Sequence, residues 1–293
     1  MLLGDAGVYP DGVSLAMGAP ETFVARFSLP LLLLACTAGK DSGTECASDD
    51  PCACGVAWTE RRGPVPTIQD AVNGARSGET VFVCEGEIVG RVQIAPSVLD
   101  SVEAAPELTL VGAGREATVL LPDEEPKFGV LTIGGVATRV QNLTLSGGEG
   151  EPYVYDNDNE YHMTNGGAVS SCSARVSFED VAITGNAANL GGGISTWCGG
   201  NIGLTEFTLT DSAVTANAWR TNNEGYYGGG GAWLTDAFVL TSINTDWGSG
   251  DTDNRDDDIA IGPFGGPYTT YTDFGAAENF VCSSETQACM RTE

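Results

Sequence analysis

Beyond residue 80 the chain is largely made of short runs in which apolar and polar residues alternate. RVQIA (91–95), ELTLVGAG (107–114), GVLTIGG (129–135) and RVQNLTLSGG (139–148) are such runs, most of them ended by glycine. A period of two marks strands with one buried face. One earlier stretch has a different period. Ile68, Ala71, Val72 and Ala75 recur at helical spacing. Thr67 is placed to cap the start of that helix and Gly78 to end it. Thr80 to Val83 then reads as a strand, with Cys84 facing a turn. The pattern therefore predicts one short helix followed by many short strands.

Further along, the runs become an explicit repeat. GGAVSSCSARVSFEDVAITGN (166–186) is followed by GGISTWCGGNIGLTEFTLTDSAVTAN (192–217) and then by GGAWLTDAFVLTSINTDWG (230–248). The Gly-Gly-apolar starts at 166, 192 and 230 are 26 and 38 residues apart. The excess of 12 is close to the length of 218–229, which reads as an inserted loop; a second insertion, 149–165, precedes the first Gly-Gly. Repeats of this length suit the coils of a solenoid, because a coil that cannot bury its own face must stack on its neighbours. Val181 and Ile183, and Ser212 and Val214, should then stack in register with Leu143 and Leu145. Cys172 and Cys198 share the 26-residue spacing, so a disulfide between neighbouring coils is expected there. The alternative architecture is a β-sandwich with glycine-rich turns; a spacing of 26 suits a coil better than a sandwich hairpin.

The stretch TIQDAVNGARSGETVFVCEGEI (67–88) resembles the opening of the right-handed parallel β-helix of the pectin-lyase-like superfamily. In that fold a short amphipathic helix covers the open first coil. The resemblance runs over roughly 64–290, and the Gly-Gly-apolar starts are similar to the repeats of polymorphic outer-membrane β-helix proteins. It implies an all-β fold: a single right-handed parallel β-helix solenoid with a short N-terminal capping helix, spanning 64–293.

The region before 64 reads differently. Phe27 to Ala35 is an apolar run preceded by Arg26, too short for a membrane-spanning helix and interrupted by Pro30. Leu33-Leu34-Ala35-Cys36 resembles the lipobox of bacterial lipoproteins, in which the cysteine is acylated and becomes the new N-terminus. The expected organisation is a signal region at 1–35 and a flexible, cysteine-containing tether and lead-in at 36–63. Residues 1–25 are too long and too acidic for the leading part of a signal peptide, so translation from Met17, or removal of this tail, is expected. The expected location is the bacterial cell envelope, as an exported outer-membrane lipoprotein that meets the membrane only through its lipid anchor.

Charge narrows the partners. Thirteen basic residues face forty acidic ones among 293, a net charge of −27. Such a surface repels nucleic acid and anionic headgroups. Apart from Cys36 there are eight cysteines, an even number that suits disulfides in an exported chain. Cys46, Cys52 and Cys54 lie close together, and a disulfide knot that includes Cys84 fits them better than a metal site without a second close pair. Cys282 and Cys289 are placed to staple the C-terminal end.

Candidate chemistry is sparse, and no catalytic residue is assigned. Polygalacturonate hydrolases of this superfamily carry Asn-Thr-Asp, a paired Asp, Gly-His-Gly and Arg-Ile-Lys. Asn244-Thr245-Asp246 and DDDIAI (256–261) resemble the first two; the others have no counterpart, His162 being the sole histidine and Lys127 the last lysine. Lyases of the fold use a basic residue beside Ca²⁺, for which Arg139 and Arg175 are candidates. A polysaccharide lyase or glycoside hydrolase is thus the alternative to a binding protein. Asp251, Asp253, Asp256 and Asp258 alternate in an acidic loop that could collect oxygens around Ca²⁺. Tyr153, Tyr155, Tyr161, Trp219, Tyr226, Tyr227 and Trp233 gather in or beside the two insertions, where aromatic rings next to Asn and Asp suit sugars. The expected role is therefore a surface-anchored, non-catalytic protein that binds or scaffolds extracellular material, either polysaccharide or another surface protein.

Overall fold

The computed structural model describes residues 50–100, 105–124, 127–155, 161–196, 203–220, 228–255, 257–262 and 270–292. Its chain order begins with β1 (Ala57–Thr59), β2 (Gly63–Val65), helix α1 (Ile68–Gly74), β3 (Thr80–Val83) and β4 (Gly86–Val89). The main sheet runs β2, β1, β3, then 107–111, 137–146, 175–184, 205–210, 238–245, 278–283 and 288–291. From β3 to 238–245 every neighbour is parallel, and each is reached only after the chain has gone round once. A second stack of parallel strands, from 92–94 through 131–134, 169–172, 194–195 and 232–234 to 259–261, forms another side. This is an all-β, parallel β-helix solenoid.

Alternation along each strand decides what faces in. Val81, Leu110, Val140, Phe178 and Leu209 are consecutive partners across the main sheet, and each is fully buried. A buried side chain of this size is worth about 1.5–3 kcal/mol. Val181 pairs with Leu143 and Ile183 with both Leu145 and Val214, as the alternation predicted. Ser212 takes its place in the same column, its hydroxyl accepting from the Val181 N–H at 3.2 Å.

Corners recur as well. Asn142, Asp180, Asp211 and Asn244 have φ of 57°, 52°, 50° and 48°, a left-handed turn repeated once per coil. Asn and Asp tolerate this conformation better than other residues with a Cβ. The Gly-Gly starts have a second cause besides positive φ. A Cβ on Gly167 would lie 1.8 Å from the Gly192 carbonyl oxygen, and one on Gly192 would lie 2.5 Å from that of Gly230. The coils touch here backbone to backbone, so any side chain would part them. The register also corrects the repeat: Val169 pairs with Ile194, an offset of 25 rather than 26. Gly167 thus stacks on Gly192, the middle glycine of Gly191-Gly192-Gly193. Cys172 is disulfide-bonded; Cys198 lies outside the described residues.

The first coil is closed by α1. Thr67 accepts from the Asp70 N–H at 3.0 Å, the expected cap, and Ile68, Ala71 and Val72 are buried. The helix ends at Gly74, earlier than Gly78, which instead makes the turn into β3. The lead-in is described from Asp50 onwards. β1 and β2 form a hairpin that extends the main sheet antiparallel to β3. Cys52 is bonded to Cys84, with Cα atoms 5.6 Å apart, and Cys54 is also disulfide-bonded. At the far end the last two strands of the main sheet are antiparallel, joined by Cys282–Cys289. Residues 1–49, including Cys36, lie outside the described residues. No described helix is long and apolar enough to cross a membrane.

Candidate functional site

Asn244, Asp246 and Arg175, which resemble parts of hydrolase and lyase motifs, are engaged in contacts within and between coils. Asn244 is the left-handed corner residue; its amide donates to Asp211 Oδ1 at 2.6 Å, and its N–H donates to Asn279 Oδ1 at 2.7 Å. Thr245 is buried, and Asp246 Oδ1 accepts from the Gly248 N–H at 2.9 Å. Arg175 is exposed and paired with Glu206 at 2.6 Å. Arg139 is exposed on the outward face of strand 137–146. His162 sits opposite Val154 in the hairpin formed by 151–155 and 161–165.

The described carboxylates of the acidic loop differ in their surroundings. Asp251 and Asp253 are exposed, and Asp253 Oδ1 accepts from the N–H of Asn254 at 3.1 Å. Asp256 lies outside the described residues. Asp258 turns inward and is 1% exposed. Among the described residues no three His, Cys, Asp or Glu side chains are placed to share a metal ion. Asp258 ends a buried chain of amides.

That chain starts at Gly148, whose N–H donates to Asn186 Oδ1 at 2.9 Å. Asn186 donates to Asn217 Oδ1 at 2.9 Å, and Asn217 donates to Asn254 Oδ1 at 3.0 Å. Asn254 donates to Asp258 Oδ1 at 2.7 Å, and the Phe274 N–H donates to Asp258 Oδ2 at 2.5 Å. The amides also satisfy the carbonyls of Leu145, Ile183 and Val214 inside the turn. Loss of solvation pushes the Asp258 pKa from 3.8 up to about 7; the two donated hydrogen bonds oppose this, while Asp253 and Asp273 add to it.

The two tryptophans assigned to binding loops are packed instead. Trp233 is fully buried in strand 232–234, stacked between Ser195 and Ala260. Trp219 is 8% exposed in 218–219, beside Ala188. The insertion therefore lies between these two residues, which belong to the coil. Tyr153, Tyr155 and Tyr161 lie in the hairpin, with Tyr155 opposite Tyr161; Tyr226 and Tyr227 are outside the described residues. The two insertions leave the solenoid side by side. Glu149, at the foot of the first, pairs with Arg220, at the foot of the second, at 3.0 Å. Asn189 joins them again, accepting from the Thr164 N–H and donating to the Arg220 carbonyl. The hydrogen bond from Arg220 holds the Glu149 carboxyl below its ordinary pKa against the effect of burial, with help from the Arg220 and Lys127 charges.

A second surface, absent from the sequence reading, lies on the outer face at the N-terminal end. Pro64, Trp58, Phe82 and Val111 are successive cross-strand partners. Trp58 and Phe82 stack with centroids 4.3 Å apart and remain half-buried. Gln141 and Glu179 continue the row, bonded to each other at 2.6 Å. Beside this row is a hollow of about 450 Å³ lined by Glu60, Arg61, Gly78, Glu79 and Thr80. Arg61 is fixed there by Glu79 at 2.8 Å and by the Gly74 carbonyl. Burial acts to raise the Glu79 pKa, but hydrogen bonds from Arg61 and the Arg76 N–H outweigh it and leave it lowered. A separate cleft of about 410 Å³ opens between the start of α1 and β4, with Ile68, Ile88 and Val89 among its apolar walls.

No family model matches the chain, and no curated protein matches it. Among solved structures, the chain is similar to a pectin methylesterase point mutant crystallised with a hexasaccharide. The identity is 15% over 74% of this chain and 70% of that one, with a TM-score of 0.33. So distant a likeness assigns neither a substrate nor a residue to this chain.

Proposed function

We propose that this protein is an exported, envelope-attached β-helix that binds extracellular polysaccharide without cleaving it. The observation that carries the reading is the Glu149–Arg220 pair, which brings together the feet of two insertions rich in tyrosine. Loops that project from one side of a solenoid commonly form its binding face. Stacking aromatic rings beside polar groups suits the two kinds of surface on a sugar. Export is supported by the disulfides Cys52–Cys84 and Cys282–Cys289, which belong to an oxidising compartment. Cys36 is the proposed point of acylation.

Two experiments test this reading. In the first, the protein is incubated with polysaccharide panels while bound fraction, reducing ends and unsaturated products are followed. Binding without product formation is expected; turnover abolished by Asp246→Asn or Arg175→Ala would replace it with the enzyme reading. In the second, Cys36→Ser is compared with the parent in detergent phase partitioning. The parent should enter the detergent phase and the variant should not; equal partitioning would remove the lipid anchor from the proposal.

A further inference from the structure

We infer that the outer row of Pro64, Trp58, Phe82 and Val111, with the hollow beside it, is a second glycan-binding surface selective for uncharged hexopyranose chains. This rests on the polysaccharide reading above but concerns a different surface. The row is an apolar strip across four strands, and Thr80, Thr109, Arg139 and Gln141 stand next to or beyond it. Thr80 and Thr109 are cross-strand partners one row over, and Arg139 follows Thr109. A pyranose ring has an apolar face for the aromatic pair and hydroxyls at its edge for these groups. Alternate strands of the sheet lie roughly 9.6 Å apart, close to the repeat of an extended disaccharide. A chain laid across the strands would therefore meet similar rows at each repeat.

Charge selects the class of glycan. The hollow carries Glu60 and Glu79 against Arg61, and Arg61 is already spent on Glu79 and the Gly74 carbonyl. Arg175, farther along the same outer face, is paired with Glu206. The whole chain carries −27. A polyuronate would meet like charge at Glu60 and Glu79, offset in part by exposed Arg139 beside the strip, whereas a neutral polymer loses nothing to these carboxylates. Glu79 is held by Arg61 in one orientation, so its remaining acceptor capacity is preorganised for hydroxyl donors.

The test is retention of the full chain on cellulose, mannan and chitin, compared with affinity for polygalacturonate, alongside Trp58→Ala, Thr80→Ala and Glu60→Gln. Retention on at least one neutral polymer is expected, weakened roughly five- to tenfold by Thr80→Ala combined with Glu60→Gln. These changes, at half-buried Thr80 and exposed Glu60, spare the Trp58–Phe82 stack, so they test the site even where Trp58→Ala fails to fold. Neutral-polymer binding that the double variant leaves intact, with unchanged thermal unfolding, overturns this surface and leaves the proposed function standing. Binding to polygalacturonate alone overturns the selectivity inferred here. Binding to no polysaccharide overturns both this inference and the proposed function.

Discussion

Asp258→Asn should flatten the dependence of stability on pH. Asp258 has a pKa of about 7 when folded, against 3.8 for the free side chain. Below 3.8 the group is protonated folded or unfolded and contributes no difference. As pH rises from there to about 7, the unfolded chain loses the proton while the folded chain keeps it. Unfolding is therefore favoured progressively, and the loss levels off above about 7 at roughly 4 kcal/mol. Between pH 5 and pH 8 the penalty grows by about 3 kcal/mol. Asparagine cannot ionise, so the variant escapes this growth. It faces a cost of its own: Asp258 accepts from both Asn254 and Phe274, and an amide offers only one acceptor. That leaves a donor facing a donor, worth about 1–3 kcal/mol at every pH. Because this cost is constant, it cancels when the two pH values are compared. Urea unfolding of both proteins at pH 5, 6, 7 and 8, with disulfides intact, supplies the measurement. The variant should gain about 3 kcal/mol on the parent across that range. Parallel curves for the two proteins would refute the reasoning.

Three further outcomes follow from the packing. Asn217→Ala removes the middle of the amide chain, its donor to the Ile183 carbonyl and its acceptor for the Asn186 N–H and side-chain amide, so chemical denaturation should show a loss of at least about 3 kcal/mol. Phe178→Ala, in the fully buried column beside Phe207, should cost about 3–5 kcal/mol in the same assay, and a cost below 1 would mean the site collapses on itself. Gly167→Ala drives a Cβ into the Gly192 carbonyl and should abolish soluble folded protein, whereas Gly250→Ala, with φ of 58° but open space around it, should cost only about 1–2 kcal/mol.

Much of the architecture was legible because alternation fixes which residues face in. The column through Val181, Ile183, Leu143 and Leu145 follows from that alone. The slip of one residue in the repeat arose at Gly191-Gly192-Gly193, where three glycines offer two equivalent Gly-Gly readings. Trp219 and Trp233 misled for a related reason. They border an insertion in sequence, but each keeps its pairing with the coil below, and burial follows pairing. The Trp58–Phe82 platform could not be read because it depends on an antiparallel hairpin of three-residue strands, too short to show a period. The amide chain does leave a trace in the sequence: Thr184-Gly185-Asn186 and Thr215-Ala216-Asn217 close two successive repeats alike. Its terminus at Asp258 left none, since proximity to Phe274 is made by the fold and not by spacing.

A spring of stacked turns comes apart by fraying inward from whichever terminal turn lets go first. Here both terminal turns carry covalent clasps, Cys52–Cys84 at one and Cys282–Cys289 at the other. An inner turn is held from both sides, because losing it means breaking two neighbours at once, and the disulfide at Cys172 adds a covalent hold there. Resistance to proteases should thus be set first by these two clasps, and a reducing agent would convert a durable stack of coils into one that peels from its ends.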